Sequence, residues 1–316
     1  MSVFTLLERA ELEAFVAPYG LGRLLDFQGI AAGTENSNFF VSLEAGEYVL
    51  TLVERGQRAD LPFVVELLQR LHAAGLPVPY GVATRSGECL RELADKPALL
   101  QPRLAGKHIE QPNAHHCAEV GSWLARMHLC TQAQPLERRS DRGLDWMLSE
   151  GPLQALQLDG EALELLRASL AEVAQAQAAV LALPRANLHA DLFRDNVLFD
   201  GPHLSGVIDF YNACSGPMLY DVAITLNDWC STASGSLDLS RARALLAAYA
   251  SLRPFHPAEA ERWPCMLRIA CLRFWLSRLI AARQPTALGV QVKDPDEFRQ
   301  RLLQRQQVHL PLPLAL

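Results

Sequence analysis

Residues 188–200 read Leu-His-Ala-Asp-Leu-Phe-Arg-Asp-Asn-Val-Leu-Phe-Asp, and shortly afterwards an apolar run, Val207-Ile208-Asp209-Phe210, also meets an aspartate. This pair of segments constrains the chain more than any other feature. Val197 to Phe199 and Val207 to Ile208 carry the apolar, largely β-branched content of strands, and Asp200-Gly201-Pro202-His203 between them has turn chemistry. The spacing predicts a hairpin that brings Asn196, just before one strand, and Asp209, just after the other, to one end. His189 and Asp191 lie on the loop that leads in, in the form H-x-D-x-x-x-x-N.

That set of side chains suits phosphoryl transfer. The reaction asks a protein mainly to hold phosphates, neutralise their charge and align the acceptor hydroxyl. Mg²⁺ takes oxygen ligands, commonly one or two from protein and the rest from phosphates and water. Asn196 and Asp209 offer such a pair. Asp191, five residues before Asn196, is then the group to orient the acceptor hydroxyl and take its proton. An unperturbed Asp is a weak base, so orientation is its larger service, with proton transfer late. His189 is read as a hydrogen-bonding support of the loop.

Around this core the chain divides in character. Thr5 to Tyr19 has the spacing of an amphipathic helix, with Thr5 as N-cap and Glu8 in capping-box position. Phe27 to Ile30, Phe39 to Leu43 and Glu47 to Val53 read as strands, with a polar turn from Ala31 to Asn38. Asp60 to Ala74 is a helix, and Val78 to Thr84, Glu88 to Leu93 and Pro97 to Gln101 are further strands. From His115 onward the pattern is mostly helical, apart from the β-like island at Val197 to Phe210. A β-rich part followed by a helical part predicts an α+β fold of two lobes, residues 1–103 and 104–316. Leu267 to Arg283 reads as an amphipathic helix with a core face and a solvated face, and is the one candidate for a protein-interaction surface.

Composition narrows the function classes. Half the residues are hydrophobic, a fifth are charged, and the net charge is −6, so nothing global favours nucleic acid. No apolar stretch suits a bilayer and the N-terminus lacks a signal peptide's basic region, which together predict a cytoplasmic location with no membrane partner. The seven cysteines are dispersed without a C-x-x-C pair and read as reduced core residues. His115-His116-Cys117 has no second ligand pair at zinc spacing. Neither G-x-S-x-G nor the Walker G-x-x-x-x-G-K-[ST] pattern occurs.

HADLFRDN followed by IDF resembles the catalytic loop and metal-binding aspartate of the aminoglycoside phosphotransferase and choline kinase group, kin to the protein kinases. Gly216 to Ala223, containing Asp221, is similar to that group's acidic segment that braces the larger lobe. The resemblance implies a two-lobed protein-kinase-like fold, with a small antiparallel β-sheet N-lobe and a larger, mainly helical C-lobe, and Mg-ATP between them. It makes Asp191 the catalytic base, with Asn196 and Asp209 holding Mg²⁺. It places Gly33, Thr34, Asn36, Ser37 and Asn38 in a loop covering the phosphates; read alone, that loop is a plain β-turn in preference to a phosphate cradle. Gln101 to Leu104 would lie beside adenine. Thr51 stands where protein kinases carry a phosphate-contacting lysine, and Glu66 is the helix glutamate that would pair with it. Lysine occurs only at 96, 107 and 293, so Arg55 supplies the cation, or Mg²⁺ and backbone groups suffice, or the chain binds nucleotide without catalysing.

Within that group, GTENSNFFV, YVLTLVE, HADLFRDNVLFD and GVIDFYNACSGPMLYDVAITLNDWC look most like bacterial homoserine kinases. The implied acceptor is a small molecule, L-homoserine, phosphorylated on the way to threonine; an aminoglycoside, choline or a sugar are the alternatives. Arg194 is a catalytic-loop candidate for the substrate or the γ-phosphate, or else pairs with Asp195. Tyr211 and Asn212, and the pair Asp228 and Trp229, are candidates for the acceptor pocket.

Overall fold

The computed structural model describes residues 5–30, 36–54, 58–283 and 293–314. They gather into two compact units. Described residues up to 105, with 206–211, form the first; 106–205, 212–283 and 293–314 form the second. Among the described residues no helix is long and apolar enough to cross a membrane.

The first unit is a five-stranded antiparallel sheet with two helices. Its elements are α1 (Arg9–Val16), β1 (Leu24–Gly29), β2 (Ser37–Leu43), β3 (Gly46–Leu52), α2 (Leu61–Ala73), β4 (Leu90–Leu93) and β5 (Lys96–Pro102). The strand order is β1-β2-β3-β5-β4. Alternation along the strands sends Phe39, Val41, Leu50, Leu52, Ala98 and Leu100 to one face, where they pack on Leu12, Phe15 and Val16 of α1. This is the sheet-on-helix core that the apolar spacing of both elements requires.

Two expected elements differ. Helix α1 starts at Arg9 rather than Thr5, and Glu8 is its N-cap, in a reciprocal capping box with Glu11. Thr5 is drawn elsewhere, its amide donating to Ser37 Oγ and its hydroxyl to Glu54 Oε1. Val78 to Thr84 forms no strand. Pro77 and Pro79 lack the N–H groups that a ladder needs. The segment is held instead by scattered bonds, Gln101 Nε2 to the Pro79 carbonyl at 2.6 Å and Val207 N–H to the Pro77 carbonyl at 3.0 Å.

The second unit contains α3 (Ala114–Gln132), α4 (Leu144–Ala155), α5 (Gly160–Leu181), β6 (Arg185–Leu188), β7 (Val197–Asp200), most of β8 (His203–Val207), β9 (Cys214–Pro217), α6 (Met218–Trp229), α7 (Leu239–Leu252), α8 (Pro257–Ala281) and α9 (Pro295–Arg305). β6 pairs antiparallel with β9, and β7 with β8 forms the expected hairpin. Helices α3 and α7 approach so closely at Gly121 that a Cβ there would lie 2.3 Å from the Leu245 carbonyl oxygen.

Every residue of α6 is buried, which accounts for its Asp221 and Asp228 being committed to internal bonds. Helix α8 corrects the amphipathic expectation for Leu267 to Arg283. Trp263, Met266, Ile269, Leu272, Phe274, Trp275 and Leu276 are all buried, and Arg268, Ser277, Leu279 and Ile280 are half-buried, so most of this stretch is covered and its fully exposed part is the end at Ala281 to Arg283. His115 and His116 also have structural roles: His115 Nε2 lies 2.9 Å from the Pro202 carbonyl oxygen, and His116 completes the capping box of Asn113.

Candidate active site

Leu188 ends β6, Val197 begins β7, and the eight residues between them form an irregular loop with a short turn of 3₁₀ helix at Arg194–Asn196. Irregular backbone buried in a helical unit must find hydrogen-bond partners outside regular structure. Asp221 supplies two of them. Its carboxylate accepts the His189 N–H at 2.7 Å and the Ala190 N–H at 2.8 Å. The same carboxylate accepts from His128 Nε2 of α3 at 3.2 Å, and His128 Nδ1 lies 2.8 Å from the Tyr249 hydroxyl. Burial would push the Asp221 carboxyl up, but the bond and charge of His128, with further help from His189, hold it below the usual carboxylate range.

The loop continues to be tied inward. His189 is fully buried and its Nδ1 accepts the Asp191 N–H at 3.2 Å, in the supporting role expected of it. Trp229 Nε1 donates to the Leu192 carbonyl at 3.1 Å. Phe193 packs between Phe274 of α8 and Phe298 of α9, with ring centroids 4.6 and 5.8 Å away. The Arg194 amide and its Nε both donate to Asp228 Oδ2, at 2.9 and 3.2 Å, and Arg301 of α9 reaches the other oxygen at 3.5 Å.

These contacts correct two expectations. The partner of Arg194 is Asp228 rather than Asp195, and Asp195 pairs with Lys293 at 2.9 Å. Asp228 and Trp229 are buried behind the loop and brace it, so they do not line an open pocket.

Asp191 is half-buried and Asn212 Nδ2 donates to its Oδ2 at 3.2 Å. Burial pushes its carboxyl up, and the positive charge of Arg273 is the largest influence opposing that rise. Asn196 is buried, and its Nδ2 donates to the Asp191 carbonyl at 2.8 Å. Its amide is thereby oriented with Nδ2 committed, which leaves Oδ1 as the atom suited to a cation. Asp209 lies two residues beyond β8 and has φ +64, a left-handed conformation uncommon outside glycine and the Asn/Asp pair. Each of these two side chains, taken by itself, offers the kind of oxygen donor that a hard divalent cation takes.

In the first unit, Asn36, Ser37, Asn38 and Thr51 form two polar groups on the sheet. Asn36 Oδ1 accepts the Glu54 N–H at 3.2 Å, and Ser37 donates to Glu54 Oε1 at 2.6 Å. Thr51 donates to Asn38 Oδ1 at 2.7 Å, and the Tyr211 hydroxyl is hydrogen-bonded to Thr51. Gln101 is buried with its amide on Pro79. Gly33, Thr34 and Arg55 lie outside the described residues.

Glu66 pairs with Arg70 on its own helix at 2.5 Å, so its ion pair among the described residues is with that helix and not with strand three. The fold does bring a lysine to the start of the inner strand β5, which the scarcity of lysine in the sequence concealed. Lys96 Nζ lies 3.2 Å from Glu54 Oε2. It is in phase with Ala98 and Leu100, which pack towards α1, whereas Thr51 is opposite Leu99 and in the other phase. Lys96 therefore does not stand in for a lysine at position 51.

The family model for the phosphotransferase enzyme family matches residues 26–255. The chain belongs to this family. A protein from Pseudomonas aeruginosa named homoserine kinase is 67% identical over 316 residues, covering 100% of both chains. One of that name from Methylobacillus flagellatus is 43% identical over 303 residues, covering 96% of this chain and 94% of its own. An amicoumacin kinase solved with AMP-PNP, Ca²⁺ and its antibiotic superposes with a TM-score of 0.69 at 15% identity, over 95% of this chain and 92% of that one. This last likeness concerns the fold, which is the mixed protein-kinase-like type expected from the sequence.

Sequence reasoning missed Arg273, His128 and Arg301. For Arg273 a signal was present: its neighbours at helical spacing, Ile269, Ala270, Leu276 and Ser277, are uncharged and mostly apolar, so a helix there must bury the guanidinium. His128 and Arg301 are brought to the loop by tertiary packing, which no local pattern encodes.

Proposed function

We propose that the chain transfers the γ-phosphate of Mg-ATP to the side-chain hydroxyl of L-homoserine in the cytoplasm. The observation that carries the acceptor is the end-to-end likeness, at 67% identity over 316 residues, to a protein named homoserine kinase. Support for the reaction type comes from the loop itself, whose carboxylate and amide are held in fixed attitudes by buried partners.

In this reading Asp191 orients the acceptor hydroxyl and takes its proton as the oxygen–phosphorus bond forms and the bond to the ADP oxygen breaks. Asn196 Oδ1 and the Asp209 carboxylate hold Mg²⁺, which when bound neutralises charge on the phosphates. Arg194, fixed by Asp228, keeps the loop in register next to Asp191. The lobe of residues 1–103 carries the nucleotide, with Gly33, Thr34, Asn36, Ser37 and Asn38 over the phosphates, Thr51 on strand three and Gln101 towards the base.

The test is ADP production from Mg-ATP across L-homoserine, L-serine, choline, kanamycin and several sugars. Turnover with L-homoserine is expected, and turnover with another alcohol alone would overturn the acceptor. Asp191→Ala should lower kcat by several orders of magnitude, on the scale of roughly 10³ to 10⁶ seen for essential groups. Phosphoryl transfer surviving in that variant would remove Asp191 from the mechanism.

A further inference from the structure

Ala190 has φ +61 and is not a glycine. The left-handed region is unfavourable for a residue with a Cβ, and such strain persists where surrounding structure over-determines it. Here the determinants are visible. Asp221 Oδ1 accepts the Ala190 N–H at 2.8 Å, and Arg273 Nη1 of α8 donates to the Ala190 carbonyl.

Arg273 is an unusual choice for that task. It is 1% exposed, its neighbours on α8 at helical spacing are uncharged, and it has no carboxylate in ion-pair contact among the described residues. Its Nε is buried without a hydrogen-bond partner. An unpaired buried guanidinium is costly, and a methionine of similar length would fill the space without that penalty. The guanidinium does lie 4.6 Å from the centre of the Phe274 ring, but that contact needs no Nη1 aimed at the Ala190 carbonyl, so packing gives only part of the account.

Its geometry gives the rest. The carbonyl of Ala190 and the N–H of Asp191 belong to a single peptide plane. Arg273 fixes one edge of that plane, and His189 Nδ1, at 3.2 Å from the Asp191 nitrogen, fixes the other. With the plane fixed, the direction in which the chain leaves the left-handed turn, and so the aim of the Asp191 side chain, is fixed too.

We infer that Arg273 is a positioning residue for phosphoryl transfer, holding the Ala190–Asp191 peptide so that Asp191 faces the acceptor hydroxyl; the inference rests on the kinase reading above. Its positive charge is also the largest influence opposing the burial that pushes the Asp191 carboxyl up. Arg273 acts through Asp191 and itself touches no reacting atom.

Three substitutions separate this role from a structural one. Arg273→Met removes donor and charge, Arg273→Gln keeps a neutral donor, and Arg273→Lys keeps both in a different shape. Each is assayed for kcat and for KM of ATP and L-homoserine, with the folded fraction taken from thermal unfolding. In the folded Met variant kcat should fall by about 100-fold or more, the scale of a misaimed catalytic group, with both KM values within about 3-fold. The Lys variant should recover to within about 10-fold of the original kcat. A folded Met variant with kcat within about 3-fold of the original overturns the inference while leaving the kinase reading intact. If the Met variant does not fold, the Lys and Gln variants decide. Loss of activity in both that matches only their loss of folded protein gives a structural role and overturns the inference. Absence of turnover by the unaltered protein with every acceptor would overturn the kinase reading, and this inference with it.

Discussion

The loop from Leu188 to Asn196 and the strand-three position Thr51 are both places where a kinase-like protein must fix polar groups, and they are fixed by opposite means. The loop is held by charge. Asp221 and Asp228, 0% and 5% exposed, accept its backbone N–H groups, and Arg273 and Arg301 stand behind it. Thr51 is held by neutral groups, the amide of Asn38 and the hydroxyl of Tyr211. The lysine of that sheet, Lys96, is neutralised by Glu54 in the other phase of the strands. A buried charge raises the stakes of its surroundings, because removing its partner leaves an uncompensated charge, while a neutral bond can be lost at small cost. The contrast predicts a steep gradient of mutational effects between the two regions.

The steepest drop belongs to Asp221. Asp221→Asn keeps the size and one acceptor oxygen, but it removes the charge and puts an NH2 donor where a carboxylate oxygen accepts from a loop N–H. Breaking a buried charged network from one side typically costs about 3–5 kcal/mol, and that is the loss expected in urea unfolding. Acid should reveal the same group. Its folded pKa is depressed, so its stabilisation is present above the unfolded Asp value of about 3.9 and is lost as pH falls through the lower folded value. The stability gap between the original protein and Asp221→Asn should therefore stay wide at neutral pH and narrow below about pH 4. A gap independent of pH, or below about 1 kcal/mol, would mean that the loop does not depend on this charge.

The same division between charge and neutral bonding marks what the sequence made legible. The hairpin, the loop spacing and the sheet could be read because each is local: turn residues at Asp200 to His203, alternation in β2 and β3, a run of fixed length from Asp191 to Asn196. The bracing of the loop is not local. Asp221 lies 32 residues from His189, His128 lies 93 from Asp221, and Arg301 lies 73 from Asp228, and only packing of α3, α6 and α9 joins them. Arg194 shows how a near neighbour misleads. Asp195 is adjacent in sequence, but the turn at Arg194–Asn196 directs the two side chains to different partners. The start of α1 failed for a related reason, since Thr5 finds Glu54, 49 residues away, and cannot also serve as a cap.

A smaller effect is expected at Thr51. Thr51→Val removes one neutral hydroxyl from between Asn38 and Tyr211 with little change of volume, so stability should fall by about 1 kcal/mol. The KM for ATP should move by less than about 10-fold, the equivalent of about 1.4 kcal/mol. A larger rise in KM, with stability unchanged, would show that the hydroxyl contacts the nucleotide directly.

The smallest effect sharpens the comparison most. Lys96 is the one lysine of the first unit, and its side chain is 32% exposed beside a Glu54 that is 11% exposed. Burial would raise the Glu54 carboxyl, but Ser37, Thr5 and Lys96 together hold it below its ordinary value. In Lys96→Met the two hydroxyls remain, so the stability loss should be under about 1 kcal/mol and should shrink with added salt, as for partly exposed ion pairs. Phosphoryl transfer should stay within about 2-fold, because strand alternation turns Lys96 away from the face that carries Thr51. If kcat/KM for ATP instead fell by about 100-fold, Lys96 would be contributing about 2.7 kcal/mol to nucleotide use. The cation absent from position 51 would then have been supplied by the neighbouring strand, and the neutral character assigned to this region would be wrong.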